Sequence, residues 1–122
     1  MKKLTMLLVV FVLSLIMRLD SYAQANRTAS ADIVCPVTGA NSIQLLPLRP
    51  GRFSYSINNT SGIVIRFVGL ASGTITLTSA NSFLLKAGQP YSDSAPGLYT
   101  GRLVCQSTTA VAATVSVFET YK

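Results

Sequence analysis

The chain has 122 residues, of which 49% are hydrophobic and 11% charged, with a net charge of +6 and no histidine. That length allows one domain and not two. Without histidine the usual general base near neutral pH and the commonest metal ligand are missing, which excludes Ser-His-Asp and Cys-His catalysis.

The chain opens on Lys2 and Lys3, followed by an apolar run from Leu4 to Met17 that is interrupted by Thr5 and Ser14 and stops at Arg18 and Asp20. Small residues follow in Ser21-Tyr22-Ala23 and Ala23-Gln24-Ala25. This layout predicts a secretory signal over residues 1–25, cleaved after Ala23 or Ala25. The competing reading, a membrane anchor, needs about 20 apolar residues and the run falls short. No membrane span is expected after cleavage, and the chain is expected to be exported, to the periplasm, the cell surface or beyond.

Residues 26–32, Asn-Arg-Thr-Ala-Ser-Ala-Asp, read as a polar arm before a domain over 33–122. Short apolar runs then alternate with turn residues: Pro50-Gly51, Asn58 to Gly62, Ser72-Gly73, Ser79-Ala80-Asn81, Gly88-Gln89-Pro90 and Ala95-Pro96-Gly97. Glycine permits positive φ, proline fixes φ and asparagine tolerates the left-handed region. The runs between them have period two, as in Phe53-Tyr55-Ile57, Ile75-Leu77, Tyr99-Gly101-Leu103-Cys105 and Val111-Ala113-Val115-Val117. Alternation places one set on a core face and the other outside, and β-branched residues favour strands. Ile63 to Val68 is apolar on both faces apart from Arg66 and reads as a central strand. The pattern predicts an all-β fold, a single antiparallel β-sandwich or small barrel of six to eight strands.

Cys35 and Cys105 are the two cysteines. In an oxidising compartment they should pair, tying the first strand to the penultimate one. A redox pair would sit closer, as in C-x-x-C. No cofactor is expected. The acidic residues after the signal, Asp32, Asp93 and Glu119, are far apart in sequence, which argues against paired-carboxylate glycosidase chemistry and against a calcium or other metal site. The row Thr74, Thr76, Thr78 reads as the outward face of one strand. The sequons at Asn26, Asn58 and Asn59 coincide with polar or turn segments that already account for the asparagines. The basic residues are scattered, so no nucleic-acid surface is expected; weak contact with anionic surfaces remains open.

From Ile57 to Tyr121, the Asn58-Asn59-Thr60-Ser61-Gly62 turn leads into Ile63-Val64-Ile65. The stretch Ser79 to Gln89, the Gly97-Leu98-Tyr99-Thr100-Gly101 segment and the final Ala113-Thr114-Val115-Ser116-Val117-Phe118-Glu119 strand follow. This order resembles small β-sandwich modules of phage virions, although the signal and the disulfide depart from that pattern. The alternating end with Tyr121 is also similar to the last strand of chaperone–usher pilins. Neither resemblance carries binding residues over, and the expectation that the chain is not an enzyme rests on the residue types it lacks.

Two readings of function follow. In one, the chain is a building block of a surface appendage or virion-like particle, with a protein partner that includes a second copy of itself. In the other, it is a free periplasmic or secreted binder, a hydrolase inhibitor or weak glycan binder. Val64, Arg66, Val68, Arg102, Val104, Phe118 and Tyr121 are the candidate interface residues, because apolar side chains on outward faces mark contacts. The basic set Arg49, Arg52, Arg66 and Arg102 would suit an acidic partner in the second reading.

Overall fold

A computed structural model describes residues 26–94 and 97–122. The expected signal over 1–25 and the Ala95-Pro96 part of one predicted turn lie outside them. Among the described residues eight strands follow one another: β1 (Arg27–Cys35), β2 (Ile43–Leu46), β3 (Arg52–Asn58), β4 (Ile65–Gly69), β5 (Phe83–Leu85), β6 (Pro90–Ser94), β7 (Leu103–Ser107) and β8 (Ala113–Tyr121). They form two four-stranded sheets. Sheet A has the order β1-β8-β3-β6 and sheet B the order β2-β7-β4-β5. Every pairing is antiparallel. The architecture is the expected sandwich, and it is not closed into a barrel.

The core lies between the sheets. Ile57, Val115 and Val117 from sheet A meet Leu46, Ile65, Phe67 and Leu103 from sheet B. Each such side chain contributes about 1.5–3 kcal/mol by leaving water. The expected disulfide joins Cys35 on β1 to Cys105 on β7 with Cα atoms 5.4 Å apart. It therefore bridges the two sheets and not two neighbouring strands.

Three expectations need correction. Residues 27–32 are not an arm: they are the first part of β1, paired with β8 from Arg27↔Tyr121 to Asp32↔Ser116. The alternating Thr74–Thr78 segment is not a strand; it belongs to an irregular connection between β4 and β5. Its alternation still sorts faces, for the threonines are exposed while Leu77 is buried. The connection crosses the outer face of sheet B. Ser42 and Ile75 exchange hydrogen bonds at 2.9 and 3.2 Å, and the Leu77 amide donates to Gln106 Oε1 at 2.9 Å. That crossing explains the third correction. Val104, expected to face outward, is 0% exposed, because the outer side of β7 is roofed by its own chain.

Candidate functional site

Register decides which side chains share a face. On the outer face of sheet A, β1 and β8 present Thr28–Thr120, Ser30–Phe118 and Asp32–Ser116 as direct partners. β3 continues these rows with Ser54, Ser56 and Asn58, and β6 with Ser94 and Ser92. The result is a hydroxyl-rich surface with one large apolar side chain at its middle. Phe118 is 43% exposed there, beside Ser30 and Ser56. The one charge in these rows, Asp32, accepts a hydrogen bond from the Ser116 hydroxyl. Among the described residues no chain segment roofs this face as the β4–β5 connection roofs sheet B.

The seven candidate interface residues do not come together. Arg66, Val68 and Val104 lie on the outer side of sheet B, with Val68 and Val104 direct partners in register. Arg66 and Val68 are half-buried there, as is Val64 just before β4. Arg102 fastens the connection over that sheet, donating from Nε to Gln44 Oε1 at 3.1 Å and from Nη1 to the Gly73 carbonyl at 2.6 Å. Tyr121 shares the inward parity of Val117 and Glu119 and is covered by the Arg49 guanidinium, 4.0 Å from its ring centroid. Phe118 alone of the seven occupies the free face of sheet A.

The basic set expected to meet an acidic partner is largely spent inside the fold. Both Glu119 oxygens are taken: Arg49 Nε donates to Oε1 and Arg52 Nε to Oε2 at 2.8 Å. Arg52 also donates to the carbonyls of Pro47, Tyr99 and Gly101. Asn59 is likewise structural. Fully buried, its Nδ2 donates to the carbonyls of Ile63, Leu85 and Lys86, and its Oδ1 accepts from Ser61. An asparagine so enclosed is no glycan acceptor.

A second feature was not legible from the motifs. On the side of the sandwich where β6 faces β4 and β5, inward-pointing Tyr55, Tyr91 and Asp93 of sheet A oppose Phe67 and Phe83 of sheet B. With Tyr99 they line a cavity of about 270 Å³. Ring centroids lie 5.2 Å apart for Phe67–Tyr91, 5.9 Å for Phe67–Phe83 and 6.1 Å for Tyr55–Tyr91. Tyr99 reaches this position because Gly69 and Gly101 leave room: a Cβ at either would fall 2.5 or 2.2 Å from its ring or hydroxyl. The only sequence signal was the count of aromatics, which does not say that five of them converge.

Burial, with the hydrogen-bonding Tyr91 hydroxyl and the Asp93 carboxylate nearby, holds the Tyr55 hydroxyl well above the ordinary phenol range. A raised pKa favours the neutral form in the fold, so this contribution is full below about pH 10, where an unfolded tyrosine titrates, and is lost as pH rises above it. The urea midpoint should therefore fall more steeply above about pH 10 in the wild type than in Tyr55→Phe. Equal slopes would contradict the assignment.

No protein-family model matches the chain, and no curated protein matches it. Among solved structures, the chain is similar to one described as "Bacillus endospore appendages form a novel family of disulfide-linked pili". The two share 13% identity over 80% of this chain and 87% of that one, with a TM-score of 0.47. It is also similar to PirA, at 15% identity over 81% of this chain and 99% of that one, with a TM-score of 0.42. Likenesses of this size carry no argument about function, and neither description mentions a phage virion module. What the fold itself defines is a two-sheet antiparallel β-sandwich with a disulfide between its sheets.

Proposed function

We propose that the chain is an exported, non-enzymatic building block that assembles with copies of itself through the outer face of sheet A. The observation that carries this reading is Phe118, 43% exposed at the centre of a hydroxyl-lined sheet that no other described residues cover. A large apolar side chain ringed by polar ones is the layout of a contact centre and its rim. The face carries almost no charge, so two copies of a net-basic chain can meet there without the like-charge repulsion they would meet elsewhere. The self-partner and the appendage role remain parts of one reading, in which the sandwich is the unit and the sheet face is the joint.

The test is the solution mass of the exported protein across concentration, measured by light scattering. A mass that rises with concentration in the wild type and stays monomeric in Phe118→Lys is expected. Phe118→Lys changes an exposed side chain, so its melting temperature should stay near that of the wild type. A wild type that remains monomeric at high concentration, or a Phe118→Lys variant that assembles unchanged, would refute the reading.

The cavity at the β6 side is the feature that favours the second reading, a free periplasmic or secreted binder.

A further inference from the structure

The cavity between β6 and the β4–β5 edge combines three properties. Its walls are aromatic: Tyr55, Phe67, Phe83, Tyr91 and Tyr99 contribute rings from both sheets and from the segment before β7. Among the described residues its one charged lining residue is an acid, Asp93, and no lysine or arginine lines it. It is open to solvent, for Phe83 is 68% and Tyr91 40% exposed at its rim. In a chain with ten basic residues against four acidic ones, a basin whose sole charge is negative is a local inversion of the overall balance.

The carboxylate is available. Asp93 accepts from the backbone amides of Ser94 at 2.9 Å and Tyr99 at 3.4 Å. Both are neutral donors, and they aim the group without neutralising it. Among the described residues the only ion pairs are those of Glu119 with Arg49 and Arg52, so Asp93 has no cationic partner. The Arg52 guanidinium lies 5.6 Å from the Tyr55 centroid; it is ion-paired with Glu119, which it shares with Arg49, and it does not line the cavity.

Aromatic faces attract cations through the ring quadrupole, most strongly when the cation is poorly hydrated, and clustered rings with a carboxylate are the arrangement that recognises methylated ammonium groups. A neutral apolar ligand would not use the unpaired carboxylate. An anion would meet it as repulsion. We propose that this cavity binds a small organic cation of the quaternary or methylated ammonium type, its methyl groups against the rings and its charge facing Asp93. The inference does not depend on the assembly reading, which uses the opposite side of sheet A.

The experiment uses the exported protein and four probes: free choline, its uncharged isostere 3,3-dimethylbutan-1-ol, glucose, and vesicles of phosphatidylcholine compared with phosphatidylglycerol. Tyrosine fluorescence reports the site, since the chain has no tryptophan. Ring-proton chemical shifts of Tyr91 and Tyr99 give the location. Choline is expected to shift these rings, with the isostere at least about tenfold weaker because it lacks the charge. Asp93→Asn keeps the shape and should weaken choline by at least about tenfold while leaving its isostere unaffected. Tyr91→Leu keeps an apolar side chain and should weaken choline as well. Binding of phosphatidylcholine vesicles in addition would identify a surface-displayed headgroup as the source; binding of free choline alone would identify a soluble cation. Equal affinity for choline and the isostere, preference for glucose, or no response to either choline or phosphatidylcholine would overturn the proposal.

Discussion

Replacing Glu119 by alanine should destabilise the domain by roughly 3–5 kcal/mol, the range for removing one partner of a buried ion pair. The Arg52 side chain is 0% exposed and that of Glu119 3%. Without the carboxylate, Arg52 keeps its hydrogen bonds to the Pro47, Tyr99 and Gly101 carbonyls but becomes a buried charge without a counter-ion. Arg49 would lose the same partner and with it the reason to lie over Tyr121. The segments before β3 and before β7 are both anchored on the Arg52 guanidinium, so the loss should reach beyond β8. Equilibrium urea unfolding of the variant against the wild type measures it. A cost below about 1 kcal/mol would show that water enters and screens Arg52. A double variant with apolar residues at both Arg52 and Glu119 should recover much of the loss, because it leaves no uncompensated charge.

Removing the disulfide should cost about 4 kcal/mol, from the entropy of a loop closed across 70 residues in the chain-entropy account. Typical small domains keep a total stability of about 5–15 kcal/mol, so this is a large share. Both sulfur-bearing residues are fully buried in the core. The double variant Cys35→Ser, Cys105→Ser would also place two hydroxyls there, and the loss should exceed the entropic figure unless they find partners. Unfolding of the oxidised and the reduced wild type in denaturant separates the two contributions, since reduction leaves thiols in place. If the two forms unfold at the same denaturant concentration, the bridge contributes nothing and the reasoning fails.

Particular residues show where sequence reasoning reached its limit. Period-two alternation correctly separated Val115 and Val117 from Ser116 and Phe118 on β8. The same rule would have put Arg52 outside with Ser54 and Ser56, yet Arg52 is buried. A register irregularity between Arg52 and Ser54 reverses the parity at that one position and turns Arg52 inward to Glu119. Nothing in a one-dimensional pattern announces a bulge. Val104 fails for another reason. It does face away from the core between the sheets, as alternation requires, but the β4–β5 connection covers it. Burial depends on what crosses a face, and that is a property of distant residues.

Residue types and their spacing alone determined the all-β class, the approximate strand number and the identity of the only possible cysteine pair. Each follows from local rules: side chains alternate along a strand, glycine and asparagine permit turns, and two cysteines have one way to join. The tertiary structure decided which strands are neighbours, and so that Phe118 sits among hydroxyls, that Arg49 and Arg52 converge on Glu119, and that five aromatic rings meet Asp93. Those groupings join residues tens of positions apart through the strand orders β1-β8-β3-β6 and β2-β7-β4-β5. Strand order is set by how the whole set of apolar faces can be buried at once, and no single segment contains that information.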